Sequence, residues 1–153
     1  MPNTYTQIYI HGVFAVRFRQ GLIPRSHGEE IRKYMTGTVT NLGSKLIAVN
    51  TVADHCHILV GLQPTWSVSD LLGKVKSASS AFINKNRLVY GRFEWQEGFG
   101  AFSYSRSQLG KVVRYIENQE EHHRKKTFRE EYIALLDQFE VEYDKRYIFR
   151  DPE

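Results

Sequence analysis

Residues Asp54 to Leu62 read DHCHILVGL, with two histidines flanking a cysteine at the head of an apolar run. Side chains alternate across an extended strand. His55, His57 and Leu59 therefore share one face, and Cys56, Ile58, Val60 and Leu62 share the other. Two same-face imidazoles can each give a neutral ring nitrogen to one cation. Asp54 is close enough in sequence to accept a ring N–H and fix a tautomer. A pair of polar strand residues without any ligand fits the same pattern. A structural zinc finger does not, because Cys56 is the sole cysteine and no CxxC completes one.

A second group lies in KVVRYIENQEEHHRKK. On a helix, Tyr115 and Gln119 are four residues apart and share a face, with His122 next along it. They fall beside the apolar stripe of Leu109, Val112, Val113 and Ile116. Taken alone, Tyr115 also reads as an aromatic at the stripe edge and Gln119 as a solvated polar residue. Joined to the histidines, they complete a chemistry. Two imidazoles and the Gln119 amide oxygen leave open positions for phosphate oxygens, a set suited to Mg2+ or Mn2+. A tyrosine one helical turn from such a ligand could attack phosphorus, and its ordinary pKa of about 10 demands help from a metal or a base.

These residues need elements to hold them. TQIYIHGVFAVRF, residues 6–18, alternates as a first strand: Ile8, Ile10, Phe14, Val16 and Phe18 face one way, Tyr9, His11 and Arg17 the other. SHGE opens a helix with Ser26 as cap and Glu29 completing a capping box, and Gly43 ends it. Strands follow at 45–50 and 56–62. SVSD, with Ser67 and Asp70 in the same capping relation, opens a second helix buried through Leu71, Leu72, Val75, Ala78 and Phe82. The glycine-rich EWQEGFGAFSYS supplies a strand near 100–105. A third helix runs from about Ser107 to Arg124. Thr127 and Glu130 cap a last one, with Tyr132, Leu135, Leu136 and Phe139 facing in. The order β-α-β-β-α-β plus added helices predicts an α+β fold, ferredoxin-like or RRM-like. Helices cover one face of an antiparallel sheet and the other stays open.

Composition is that of a globular chain, 41% hydrophobic and 25% charged, and 153 residues without a linker or repeat predict one domain, 1–153. No apolar run approaches the ~18 residues of a membrane span, and the N-terminus lacks a signal peptide's features. A cytoplasmic protein with no membrane partner is expected. The net charge is +4, unevenly spread: residues 115–153 carry seven basic and eleven acidic residues, whereas 71–114 carry eight basic and two acidic. That asymmetry permits a polyanion partner without requiring one. Tyr9, His11 and Arg17, with Lys74, Lys76, Lys85 and Arg87, are candidate contacts to phosphates or bases.

Together, DHCH followed by ILVGL, the W-x-x-G-x-G-A-F-S segment from Trp95 to Ser103, and the Y-x-x-x-Q of Tyr115 and Gln119 resemble the single-tyrosine HUH transposases, the TnpA type of the smallest bacterial insertion sequences. The likeness runs over nearly the whole chain. It implies His55, His57 and Gln119 as ligands of Mg2+ or Mn2+. It implies Tyr115 as the catalytic nucleophile, forming a 5′-phosphotyrosine link and freeing a 3′-hydroxyl for later rejoining without ATP. It implies single-stranded DNA with hairpin ends as substrate, and a homodimer, paired through its sheets, in which one subunit's histidines serve with the other's tyrosine. The central HUH residue is usually a larger aliphatic; Cys56, facing inward, takes its place as a buried hydrophobe. Other readings are a domesticated hairpin-processing nuclease, a non-catalytic RRM-like binder of single-stranded nucleic acid, and a phosphodiesterase without a tyrosyl intermediate.

Overall fold

The computed structural model describes residues 3–153. Four antiparallel strands form one sheet in the order β2-β3-β1-β4: β1 Tyr9–Ala15, β2 Lys45–Val52, β3 His55–Gly61 and β4 Gly100–Tyr104. The helices are α1 Gly28–Asn41, α2 Val68–Lys85, α3 Leu109–Glu117, the single turn α4 Gln119–His122, and α5 Phe128–Gln138. The α+β class and the order of elements are as the patterning predicts. Among the described residues, no helix is long and apolar enough to cross a membrane.

One face of the sheet packs on α1 and α2. Phe14, Cys56, Ile58 and Val60 meet Ile31, Met35, Leu71, Leu72 and Val75 in a single buried cluster. Cys56 lies there as a small hydrophobe, its Sγ 3.9 Å from Met35 Sδ. Burial pushes its thiol pKa well above the ordinary range, so it is neither ligand nor nucleophile. The α2 stripe is rotated from its expected position: Ser79 and Ile83 are buried, while Ala78 and Phe82 are only partly so. Ser79 is tolerated inside because its hydroxyl accepts from Trp95 Nε1 at 3.0 Å.

The other face is not open. Ala48 and Leu59 pack against Val112 and Ile116 of α3, and α5 lays Phe128, Tyr132, Leu135 and Leu136 into the same side. Gly100 is required at this contact, since a Cβ there would lie 2.6 Å from the Tyr132 ring. The apolar face of α5 packs inward as its spacing predicts, and what it covers is the sheet surface expected to be open.

The helix ends differ in instructive ways. Ser67 and Thr127 cap α2 and α5 as expected, and Glu130 completes the Thr127 box. Gly43 follows α1 with φ +83°, a conformation that favours glycine. Ser26 does not cap α1. It lies in a 3-10 turn, Arg25–His27, that leads into the helix, and His27 contacts Glu30 instead. The expected helix 107–124 is broken at Asn118. Asn50 Nδ2, on β2, donates to the carbonyls of Ile116 at 2.9 Å and Glu117 at 3.3 Å, ending α3 there.

Candidate metal and nucleophile site

The break at Asn118 turns the chain toward the strand histidines. Gln119 Oε1 lies 3.0 Å from His55 Nε2, and its Nε2 donates to the Tyr115 carbonyl at 3.3 Å. His55, His57 and Gln119 are all fully buried. The cover is α3 above β2 and β3, and α5 beside it, where Phe128 stacks on the His55 ring with centroids 4.1 Å apart.

Each strand histidine is held from behind. His55 Nδ1 lies 2.7 Å from Asp54 Oδ1, so Nδ1 carries the proton and Nε2 is turned inward. The acceptor role anticipated for Asp54 is met. Burial would raise this carboxyl's pKa, but the hydrogen bond to His55 brings it below the ordinary value. His57 Nδ1 lies 2.7 Å from Nε2 of His11, which sits behind it on β1. His11 is completely buried and its Nδ1 has no partner among the described residues. It cannot meet DNA, contrary to the open-face expectation.

Burial, followed by their mutual charge repulsion, drives the His11 pKa down to about 3. His57 is likewise lowered to about 4, by burial first and although Glu131 opposes the shift. Both rings are therefore neutral at pH 7, the state a metal requires.

The residue that sequence reasoning missed is Glu131. Its Oε1 lies 3.1 Å from His57 Nε2, 3.5 Å from His55 Nε2 and 3.0 Å from His123 Nε2. Its Oε2 accepts from Gln119 Nε2 at 3.0 Å and from the Tyr115 hydroxyl. Burial alone would raise its pKa, yet bonds from His123 and His57 hold it far below the carboxylate range. Tyr115 is shifted the opposite way: burial and the Glu131 charge push its phenol well above 10. A signal was present. Phe128, Glu131, Tyr132 and Leu135 fall at i, i+3, i+4 and i+7, so Glu131 stands within the buried stripe, where an unpaired carboxylate would be costly.

Of the two histidines that follow Gln119, His123 joins the cluster. Its Nδ1 lies 2.8 Å from the Lys126 carbonyl and its Nε2 3.1 Å from Gln119 Oε1. Burial lowers its pKa, but the bonds to Glu131 outweigh this and raise it. His122 stays on the rim, its ring centroid 4.9 Å from that of Tyr115. Beside Tyr115, a cleft of about 380 Å³ is lined by His122, His123, Lys125, Lys126 and Glu131. Its lining sets Lys125 and Lys126 against the carboxylates Glu121 and Glu131, so the lysines offer the phosphate contacts there.

The donor set fits a divalent cation. One ligand atom from each of His55, His57 and Glu131 lies within 4.8 Å of the others, and both strand imidazoles are tethered at Nδ1. All four residues expected from the sequence — His55, His57, Tyr115 and Gln119 — come together within one chain. Among the basic surface candidates, Arg17 pairs with Glu94 at 2.9 Å, and Lys76 donates to the carbonyls of Gln96 and Gly98. Lys74, Lys85 and Arg87 are exposed.

The family model described as "Transposase IS200 like" matches residues 4–119. The ISDra2 transposase TnpA of Deinococcus radiodurans is 20% identical over 118 residues, spanning 74% of this chain and 84% of that one. A crystal structure of a Deinococcus radiodurans protein described as a transposase superposes with TM-score 0.59 at 19% identity, covering 76% of this chain and 94% of the other. A REP-associated tyrosine transposase bound to a REP hairpin superposes with TM-score 0.58 at 14% identity, covering 79% and 72%. The two solved structures share the fold. Glu131 and His123 lie beyond the matched segment.

Proposed function

The chain belongs to the IS200-like transposase family, and on that premise we propose that it cleaves and rejoins single-stranded DNA at a divalent-metal site, with Tyr115 as nucleophile. The observation that carries this reading is the convergence of Tyr115, Gln119, His55 and His57 on one buried cluster in one chain.

His55 and His57 would hold the cation through Nε2, with Gln119 Oε1 and the Glu131 carboxylate as the oxygen ligands. A bound Mg2+ or Mn2+ supplies charge neutralisation at the scissile phosphate and makes its phosphorus more electrophilic. Tyr115 Oη attacks that phosphorus as the bond from phosphorus to the 3′ oxygen breaks. The tyrosine proton leaves along its hydrogen bond to Glu131, the 3′ oxygen takes up a proton, and the 5′ phosphate stays on Tyr115. Reversal by another 3′-hydroxyl rejoins the strand, so no ATP is consumed. Asp54 and His11 hold the two rings, and α3 and α5 exclude water from them.

The REP-associated relative is bound to a hairpin, which supports hairpin-ended single strands as the substrate here, and processing of host hairpins as a second reading. Such work on cellular DNA suits a cytoplasmic protein acting as one domain. An RRM-like binder needs an exposed sheet face, and α3 and α5 occupy that face. The homodimer that the resemblance implies, with one subunit's histidines serving the other's tyrosine, is part of the same proposal, and the single chain also sets Tyr115 beside His57.

Incubation with labelled hairpin DNA and Mn2+ tests the proposal. A denaturation-resistant protein–DNA adduct is expected, absent with chelator and in Tyr115→Phe. Cleavage without an adduct would instead favour a phosphodiesterase.

A further inference from the structure

We infer that His123 is a third imidazole ligand, giving the metal centre three ring nitrogens and a preference for a first-row transition cation over Mg2+. The inference deepens the reading of His55 and His57 as metal ligands and rests on it.

The Nε2 atoms of His55, His57 and His123 lie 3.5, 3.1 and 3.0 Å from a single point, Glu131 Oε1, although His123 stands outside the tighter group of His55, His57 and Glu131, whose ligand atoms are all within 4.8 Å of one another. Each ring is also fixed at its far nitrogen: His55 by Asp54, His57 by His11, and His123 by the Lys126 carbonyl. A carbonyl only accepts, so His123 Nδ1 is the protonated nitrogen and a neutral ring keeps its Nε2 lone pair toward the cluster. An outer acceptor behind each ring is the arrangement that orients metal-bound histidines. Gln119 Oε1 also lies 3.0 Å from His55 Nε2 and 3.1 Å from His123 Nε2, so one amide oxygen is shared by the strand ligand and the proposed one.

The same contacts would be made by a protonated His123 acting only as a counter-cation to Glu131. The two roles differ in the metal they select. Mg2+ keeps oxygen ligands and near-octahedral geometry, whereas Mn2+ and the later first-row ions accept imidazole readily. A two-histidine, two-oxygen site discriminates weakly; a three-histidine site discriminates strongly.

Metal binding to the purified chain without DNA separates these roles. Calorimetric titration with MnCl2 and MgCl2 is expected to give Mn2+ at least about tenfold tighter binding than Mg2+. His123→Ala, checked for fold by circular dichroism, loses about tenfold or more of the Mn2+ affinity and most of that preference. Pulsed EPR of bound Mn2+ is expected to show three nitrogen couplings in the wild type and two in the variant. Two couplings in the wild type, or Mn2+ affinity in His123→Ala within about twofold of wild type, overturns the assignment. Should the variant fail to fold, the wild-type coupling count decides alone. Three couplings in a protein that forms no DNA adduct would uphold this inference while sinking the tyrosyl chemistry.

Discussion

The Tyr115 hydroxyl donates to Glu131 Oε2, so the proposed nucleophile on α3 is tied to a carboxylate on α5 whose other oxygen meets the histidines. Glu131 thereby links the ligand cluster to the attacking group. Glu131→Gln keeps the size but removes the charge and the proton acceptor, and leaves only a neutral amide oxygen to face the metal. Adduct formation should fall about tenfold or more. A variant as fast as the wild type, or faster, would mean that Glu131 restrains Tyr115 rather than serving it.

Tyr115 lies against its own chain's His57, with ring centroids 5.7 Å apart. The family resemblance implied a tyrosine borrowed from a partner subunit. A site shared between subunits predicts recovery of the adduct toward half of the wild-type level in verified mixed assemblies of Tyr115→Phe and His57→Ala. No recovery would mean that each chain uses its own tyrosine.

His11 acts through His57. Removing it in His11→Ala frees His57 Nδ1, so the ring can turn or take the wrong tautomer, and a cavity opens behind it. Mn2+ affinity is expected to drop about tenfold or more. His11→Gln, which can still accept from His57 Nδ1, should recover part of that loss. Equal affinities in wild type and His11→Ala would leave His11 as packing alone.

The two lowered imidazole pKa values predict acid sensitivity in the presence of chelator. Folded His11 and His57 resist protonation until about pH 3 and 4, whereas in the unfolded chain they protonate near 6.5. The unfolded state thus binds more protons below 6.5, and stability is full above that pH and lost as pH falls toward 4. The titratable groups facing these rings are His55, His123, Tyr104, Tyr115 and Glu131. His123 works oppositely, because its raised pKa contributes stability at low pH that fades as pH rises through it. Losses from Asp54 and Glu131, both lowered, begin only near their unfolded values of about 4. Denaturant titrations at pH 7 and 5 should differ by on the order of a few kcal/mol. Equal stabilities would contradict the neutral buried pair.

Local patterns carried much of this in the sequence. Strand alternation placed Cys56 inward and His55 and His57 on the opposite face, and the spacing of Tyr115 and Gln119 brought both to one site. Tertiary contacts decided the rest. Nothing local reveals that Asn50 ends α3 at Asn118, because the donor comes from a strand 66 residues away. Alternation alone places His11 on the face opposite the core, and it is buried because α3 and α5 cover that face. Glu131 follows the capping residue Glu130, and its place in the apolar stripe, three residues after Phe128, is the local mark of its burial.

The most direct test is to map the covalent link. The chain is incubated with hairpin DNA and Mn2+, digested, and the DNA-bearing peptide sequenced by mass spectrometry. The account predicts a phosphodiester on Tyr115. A link on any other residue, or DNA cleaved with every tyrosine unmodified, would contradict it.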